Sequence, residues 1–203
     1  MRRDSPPPGF ITRLAIIIEG GLVVIAVLLS LLLGLPLLDQ VWPTVSAVFW
    51  GVLLTVPLLA GLWASKRSRW RVLANLFDEI EQTVVPLFAD TSVAGLALIS
   101  LLAGAGEEAL FRGVVQSVLT GPLGTALALV VTSTAFGLLH YVTRTYAIMA
   151  GVIGLYLGVL ALAFNSLLVP MIVHALYDFV ALAYLTKATS LPSRGHTAQV
   201  NNS

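Results

Sequence analysis

Residues 101–116, LLAGAGEEALFRGVVQ, set Glu107, Glu108 and Arg112 inside a stretch that otherwise reads as hydrocarbon. An ionisable side chain at the centre of a membrane span costs about 2.5–3.5 kcal/mol on insertion scales, so several together need partners or a wet cavity. The surroundings decide whether this stretch is such a span. Of the 203 residues, 58% are hydrophobic and 10% are charged, against roughly 25% charged in an ordinary soluble domain. Mean hydropathy is +0.94. Apolar runs broken by Pro, Gly or charge recur along nearly the whole length, which leaves no room for a separate soluble domain. The expected fold is all-α: a polytopic transmembrane helix bundle of about six spans plus one interfacial amphipathic helix.

Outward from residues 101–116, the spans are expected at 14–38, 42–64, 92–119, 122–142, 145–163 and 166–187. The first is longer than a signal h-region of ~7–15 residues and lacks a clear small-x-small cleavage site, so a retained anchor is expected. Residues 66–88, KRSRWRVLANLFDEIEQTVVPLF, differ in kind. Leu73, Leu76, Phe77, Ile80, Val84 and Leu87 recur there at helical spacing among charges, the pattern of a helix lying on a membrane surface. Residues 1–9 form a polar arm, 10–187 a single membrane-embedded domain, and 188–203 a polar tail expected to be disordered.

Six spans put both termini, the segment around 66–90 and the turn at 143–145 on one side. Arg2, Arg3, Arg13, Lys66, Arg67, Arg69, Arg71, Arg144, Lys187 and Arg194 fall there, ten of the eleven basic residues. The positive-inside rule makes that side cytoplasmic. Arg112 is the exception. With no cysteine in the chain, disulfides, thiolate nucleophiles and Cys-ligated zinc are excluded. Nothing points to nucleic acid.

Helical geometry sorts the buried charges. Glu108 and Arg112 are four apart on one face, acid first, the favourable order for a pair. Glu107 is rotated by about 100° from Glu108 and has no built-in counter-ion, which leaves it free to act as a general base. The same spacing aligns Phe136 with His140, and His174 with Asp178. A histidine beside a carboxylate can be held in one tautomer, and peptide hydrolysis needs a donor for the oxyanion, which His174 can supply. Glu19, in the first span, is read as structural and close enough to a helix end to reach the interface. Ala147, Gly151, Gly154, Gly158 and Ala161 form a small-residue ridge suited to close helix packing.

Together, EEALFR (residues 107–112), FGLLH (136–140) and HALYD (174–178) resemble the motifs EExxxR, FxxxH and HxxxN or HxxxD of the CAAX prenyl protease and bacteriocin-processing family of intramembrane proteases. The resemblance covers about 95–180, inside a protease-like core at 92–187. It implies an intramembrane endopeptidase of glutamic type, in which Glu107 and His140 activate water, His174 and Asp178 stabilise the oxyanion, and Glu108, Arg112 and Phe136 support them. It implies no essential cofactor, a protein or peptide substrate presented at the lipid bilayer, and, for so short a chain, a bacterial inner or plasma membrane. An Asn at position 178 would donate to an oxyanion directly. Asp178 must instead be protonated or orient His174, and the second is preferred.

Other readings stay open on the residues alone. A metal-dependent protease would use Glu107, His140, His174 and Asp178 as ligands for zinc or another divalent ion, although no HExxH is present. A bacteriocin-immunity or scaffold protein would use the polar cluster to lock its helices together. Proton or ion transport would use intramembrane acids, with a polar path to both faces. Span counting also leaves a tension: Glu107 falls near mid-membrane and His140 near a helix end.

Overall fold

The computed structural model describes residue 7 and residues 9–189, and every regular element in that range is helical. Most of the N-terminal arm, with Arg2 and Arg3, and nearly all of the expected C-terminal tail, with Arg194, lie outside the described residues. Helix α1 (Phe10–Leu33) ends at Gly34, whose φ of 65° turns the chain so that the Leu35 N–H donates to the Ser30 carbonyl at 2.8 Å, a glycine-specific stop. A single turn, α2 (Leu37–Gln40), leads to α3 (Val45–Arg67), which opens on Thr44 with its hydroxyl accepting from the Ala47 N–H. Such a cap contributes about 1 kcal/mol. Next come α4 (Arg71–Thr83) and a short α5 (Val85–Phe88).

Helix α6 (Val93–Glu108), capped by Ser92, runs without a break into a π-helical stretch, Ala109–Gln116, and on into α7 (Ser117–Leu123). The bundle is completed by α8 (Thr125–Leu139), α9 (Arg144–Phe164), capped by Thr143, and α10 (Leu168–Thr189). Five helices among the described residues are long and apolar enough to cross a membrane: Phe10–Leu33, Val45–Arg67, Val93–Leu123, Arg144–Phe164 and Leu168–Thr186.

The expected fourth span differs. Gly124, at φ 75°, breaks the chain after Leu123, so Pro122 sits in the last turn of α7 and does not begin the next helix. That leaves α8 with 15 residues, about 22 Å at the α-helical rise and short of a hydrocarbon core of about 30 Å. The preceding span is 31 residues long. Their inequality removes the tension over His140, because a helix that stops early ends at the depth of Glu107.

The amphipathic helix is also placed differently from a free surface helix. Phe77 is buried with Val85 and Leu185, flanked by Ile80 and Leu62, so part of the apolar face of α4 docks on the ends of α3 and α10. Trp70 and Val72 are exposed. Glu79 accepts a 2.6 Å bond from the Thr143 hydroxyl, which ties α4 to the turn between α8 and α9. At the opposite end, the Leu167 N–H donates to the Gln40 carbonyl at 2.9 Å and joins α2 to the turn before α10.

Glycines set the closest crossings. A Cβ on Gly104 would lie 2.7 Å from the Met171 carbonyl and 2.8 Å from the Ala175 nitrogen, so α6 meets α10 nearly backbone to backbone beside His174. On Gly137 it would lie 2.5 Å from the Ala147 carbonyl, where α8 crosses α9. The α9 ridge works as small-residue packing: Gly154 faces Phe136 and Arg112, and Gly158 faces Leu129 and Gln116.

Candidate active site

The crossings gather the ionisable residues of three expected spans into one place. Glu108 is fully buried. One of its oxygens, Oε2, accepts from Arg112 Nε at 3.2 Å, the i, i+4 pair expected from spacing. The other, Oε1, is 3.1 Å from His174 Nδ1. Arg112 also donates through Nη2 to the Gly154 carbonyl at 2.8 Å, and its guanidinium lies 5.3 Å from the centre of the Phe136 ring. A buried charge is tolerable only when so paired.

His174 stands between two acids, with Nδ1 on Glu108 and Nε2 3.3 Å from Asp178 Oδ2. A neutral imidazole has a single N–H, whereas ionised carboxylates only accept. The trio therefore needs one proton beyond a neutral ring and two ionised acids for both contacts to be hydrogen bonds. Asp178 thus lies against Nε2, on the opposite side of the ring from Glu108.

His140 closes the C-terminus of α8. Its Nδ1 is 2.8 Å from the Phe136 carbonyl, which can only accept, so Nδ1 carries the proton. In the neutral ring Nε2 is then an acceptor, and it faces Glu107 Oε2 at 3.5 Å. Glu107 is 8% exposed, and its Oε2 has no hydrogen-bond partner. The contact is satisfied either by a proton on Glu107 given to Nε2 or, with Glu107 ionised, by a donor that serves both, and a water molecule has two O–H bonds to give. Phe136 fixes the rings, stacking on His140 with centroids 4.4 Å apart and meeting His174 edge-on at 5.9 Å. Side-chain exposure grades from 0% at Glu108 and Arg112, through 10% at Glu107, to 28% at His140 and 33% at Asp178. The cluster is sealed at one end and accessible at the other.

Glu107, His140, His174 and Asp178 thus come together, with Glu108, Arg112 and Phe136 beneath them. Among the described residues, no group of three or more His, Asp or Glu side chains is arranged to hold a metal ion. Residues 89–180 match the family model described as Rce1-like, type II CAAX prenyl endopeptidase. The match covers less than half of the 203 residues. The matched residues enclose EEALFR, FGLLH and HALYD, so the similarity to CAAX prenyl endopeptidases falls on the part of the chain that carries the cluster. Comparison with curated proteins and with solved structures gave no match.

The Rce1-like segment contains features that spacing did not reveal. Glu108 bridges Arg112 to His174 as well as pairing with Arg112. The helix is π-helical from Ala109 to Gln116, a widening often found at functional sites, and the Ser117 hydroxyl donates to the Arg112 carbonyl five residues back. Glu19, expected to reach for the interface, instead has Oε2 buried without a partner. Its signal was present as a lone acid in an apolar run, but a single span does not reveal which neighbour it meets.

Proposed function

We propose that this chain is an intramembrane endopeptidase in which Glu107 and His140 activate a water molecule against a peptide bond near the membrane surface. The observation that carries the reading is the facing pair, Glu107 Oε2 and His140 Nε2, 3.5 Å apart with Glu107 Oε2 buried and without a hydrogen-bond partner. Water bound there donates one proton to Glu107 as its oxygen bonds to the carbonyl carbon. The tetrahedral oxyanion takes the Nε2–H of His174 over from Asp178, which holds that N–H before substrate enters, while Glu108 keeps Nδ1. Glu107 then returns the proton to the leaving nitrogen as the C–N bond breaks, yielding a carboxyl and an amine.

The Glu108–Arg112 pair holds the far side of His174 and keeps the ring from turning away. General acid–base groups contribute about 10²–10⁴-fold to such reactions. No metal is required by these steps. The substrate is a protein or peptide presented at the bilayer, the compartment is a bacterial inner or plasma membrane, and the more basic face, with both termini, is cytoplasmic.

The test is hydrolysis by the purified full chain in lipid nanodiscs, with peptides from cells compared between the parent strain and one carrying Glu107→Gln. His140→Ala and Glu107→Gln should each lose at least about a hundredfold in rate while the protein remains monodisperse. Parent-like cleavage by both variants would sink the assignment. Activity that survives exhaustive chelation supports the metal-free route, and activity lost to chelation and restored by zinc overturns it.

A further inference from the structure

Lys66, Arg67, Arg69 and Arg71 crowd the corner where α3 gives way to α4, and all four are exposed. Helix α3 has 23 residues, about 34 Å at the α-helical rise, against a hydrocarbon core of about 30 Å. Its last turn therefore leaves the hydrocarbon, and the basic corner lies at the depth of the lipid headgroups.

Apolar rings share that corner. Trp63 precedes it and Trp70 stands inside it, 59% and 75% exposed, with Val72 exposed beside Arg71. An exposed tryptophan among arginines is poorly placed in water, whereas its apolar body and polar N–H suit a membrane interface. Basic residues that served only to orient the chain would not need such neighbours. The corner is also built as a fixed surface. The Trp70 N–H donates to the Ser68 hydroxyl at 3.2 Å, and Phe77, packed with Val85 and Leu185, holds the rest of α4 on the bundle.

Most of the positive charge is left for an outside partner. Lys66 is 3.7 Å from Glu81 and lies over the Tyr184 ring. Arg67 rests its guanidinium on the Trp63 ring at 3.9 Å, which engages the face of the group and leaves its N–H edge open. Arg69 and Arg71 have no ion pair among the described residues. Of the nearby acids, Glu79 accepts from Thr143, and Asp78 is exposed two turns beyond Arg71, about 10 Å along the helix. That is about one Debye length at 0.1 M salt. Three of the four cations are arginines, whose parallel N–H donors match two oxygens of a phosphate.

We propose that residues 66–71, with Trp70 as the interfacial anchor, form a binding surface for anionic phospholipid headgroups of the adjoining leaflet. A basic cluster just outside a span attracts such lipids, by about fivefold for each Lys or Arg. The surface lies outside the matched residues 89–180 and stands apart from the endopeptidase reading, because lipid binding is measured without turnover.

The experiment uses the full chain in nanodiscs of equal phosphatidylglycerol and phosphatidylcholine, with native mass spectrometry counting the lipids that stay bound on release. The parent should retain phosphatidylglycerol over phosphatidylcholine by about a hundredfold at low salt, and less in 0.5 M salt. The triple variant Arg67→Gln, Arg69→Gln, Arg71→Gln should lose nearly all of that preference, and the corresponding triple Arg→Lys variant should keep most of it. Brominated phosphatidylglycerol should quench the fluorescence that Trp70→Phe removes more strongly than brominated phosphatidylcholine does. Equal retention of the two lipids by the parent overturns the proposal, and so does an unchanged preference in the folded triple Gln variant. If that variant does not fold, equal quenching by the two brominated lipids overturns it. Tighter binding of poly-glutamate than of phosphatidylglycerol at the same arginines overturns the lipid assignment in favour of an acidic protein partner.

Discussion

Two adjacent glutamates occupy opposite situations. Glu108 has both oxygens engaged, by Arg112 and His174, and is sealed from its surroundings. Glu107, one residue earlier, is slightly exposed, has an unpartnered oxygen, and faces a histidine at 3.5 Å. One peptide unit and about 100° of helical rotation separate a charge used as a tie from one left available. The difference teaches that in a membrane interior pairing, more than residue type, tells a structural tie from an acid left open to another partner.

The sharpest way to break this comparison is to remove each acid and ask which property falls. Glu107→Gln should cost at least about a hundredfold in kcat, with a melting temperature in nanodiscs close to the parent's. Glu108→Ala should do the reverse in emphasis. It strands Arg112 and frees His174, and loss of one partner of a buried pair costs about 3–5 kcal/mol, visible as a large drop in melting temperature or failure to purify as a monodisperse species. If Glu108→Ala melts like the parent, the paired acid is not the tie described here.

Smaller effects sharpen the picture of how the site is assembled. Gly104→Ala forces α6 and α10 apart at the Met171 carbonyl and the Ala175 nitrogen. Overpacking of this kind costs about 1–3 kcal/mol, and it should lower kcat as well as the melting temperature because His174 moves with α10. An equal loss of stability with unchanged kcat would show that the crossing is not what positions the ring. The smallest change is expected from Glu79→Gln, which weakens the bond from Thr143 that ties α4 to the turn following His140. A half-buried hydrogen bond to a charged group contributes about 1.5 kcal/mol or less, so a modest rise in KM or a slight drop in melting temperature is the expected result. A rise in kcat would mean that the tie restrains the site.

Much of this was legible in the residues. Glu108–Arg112 and His174–Asp178 were paired from i, i+4 spacing alone, and both contacts are present, at 3.2 Å and 3.3 Å. Local periodicity suffices there because both partners ride on one helix. Contacts between helices were less legible: that Glu108 also reaches His174, that Arg112 finds the Gly154 carbonyl, and that Glu19 comes to the Gly106 crossing depend on partners 42 or more residues apart in the chain. The spacing of apolar residues defines one face of α4, but hydropathy does not say whether protein or lipid covers it, and Phe77 is covered by protein.

Composition and periodicity by themselves determined an all-α membrane bundle, the order of its apolar segments, and the pairs that share a helix face, because burial in hydrocarbon and the turn of a helix are written residue by residue. Tertiary structure decided which acid is tied and which is left open, how far α8 extends, and that the first span comes to the edge of the site. Those outcomes rest on where glycines let backbones touch, and a close approach is a property of two helices at once.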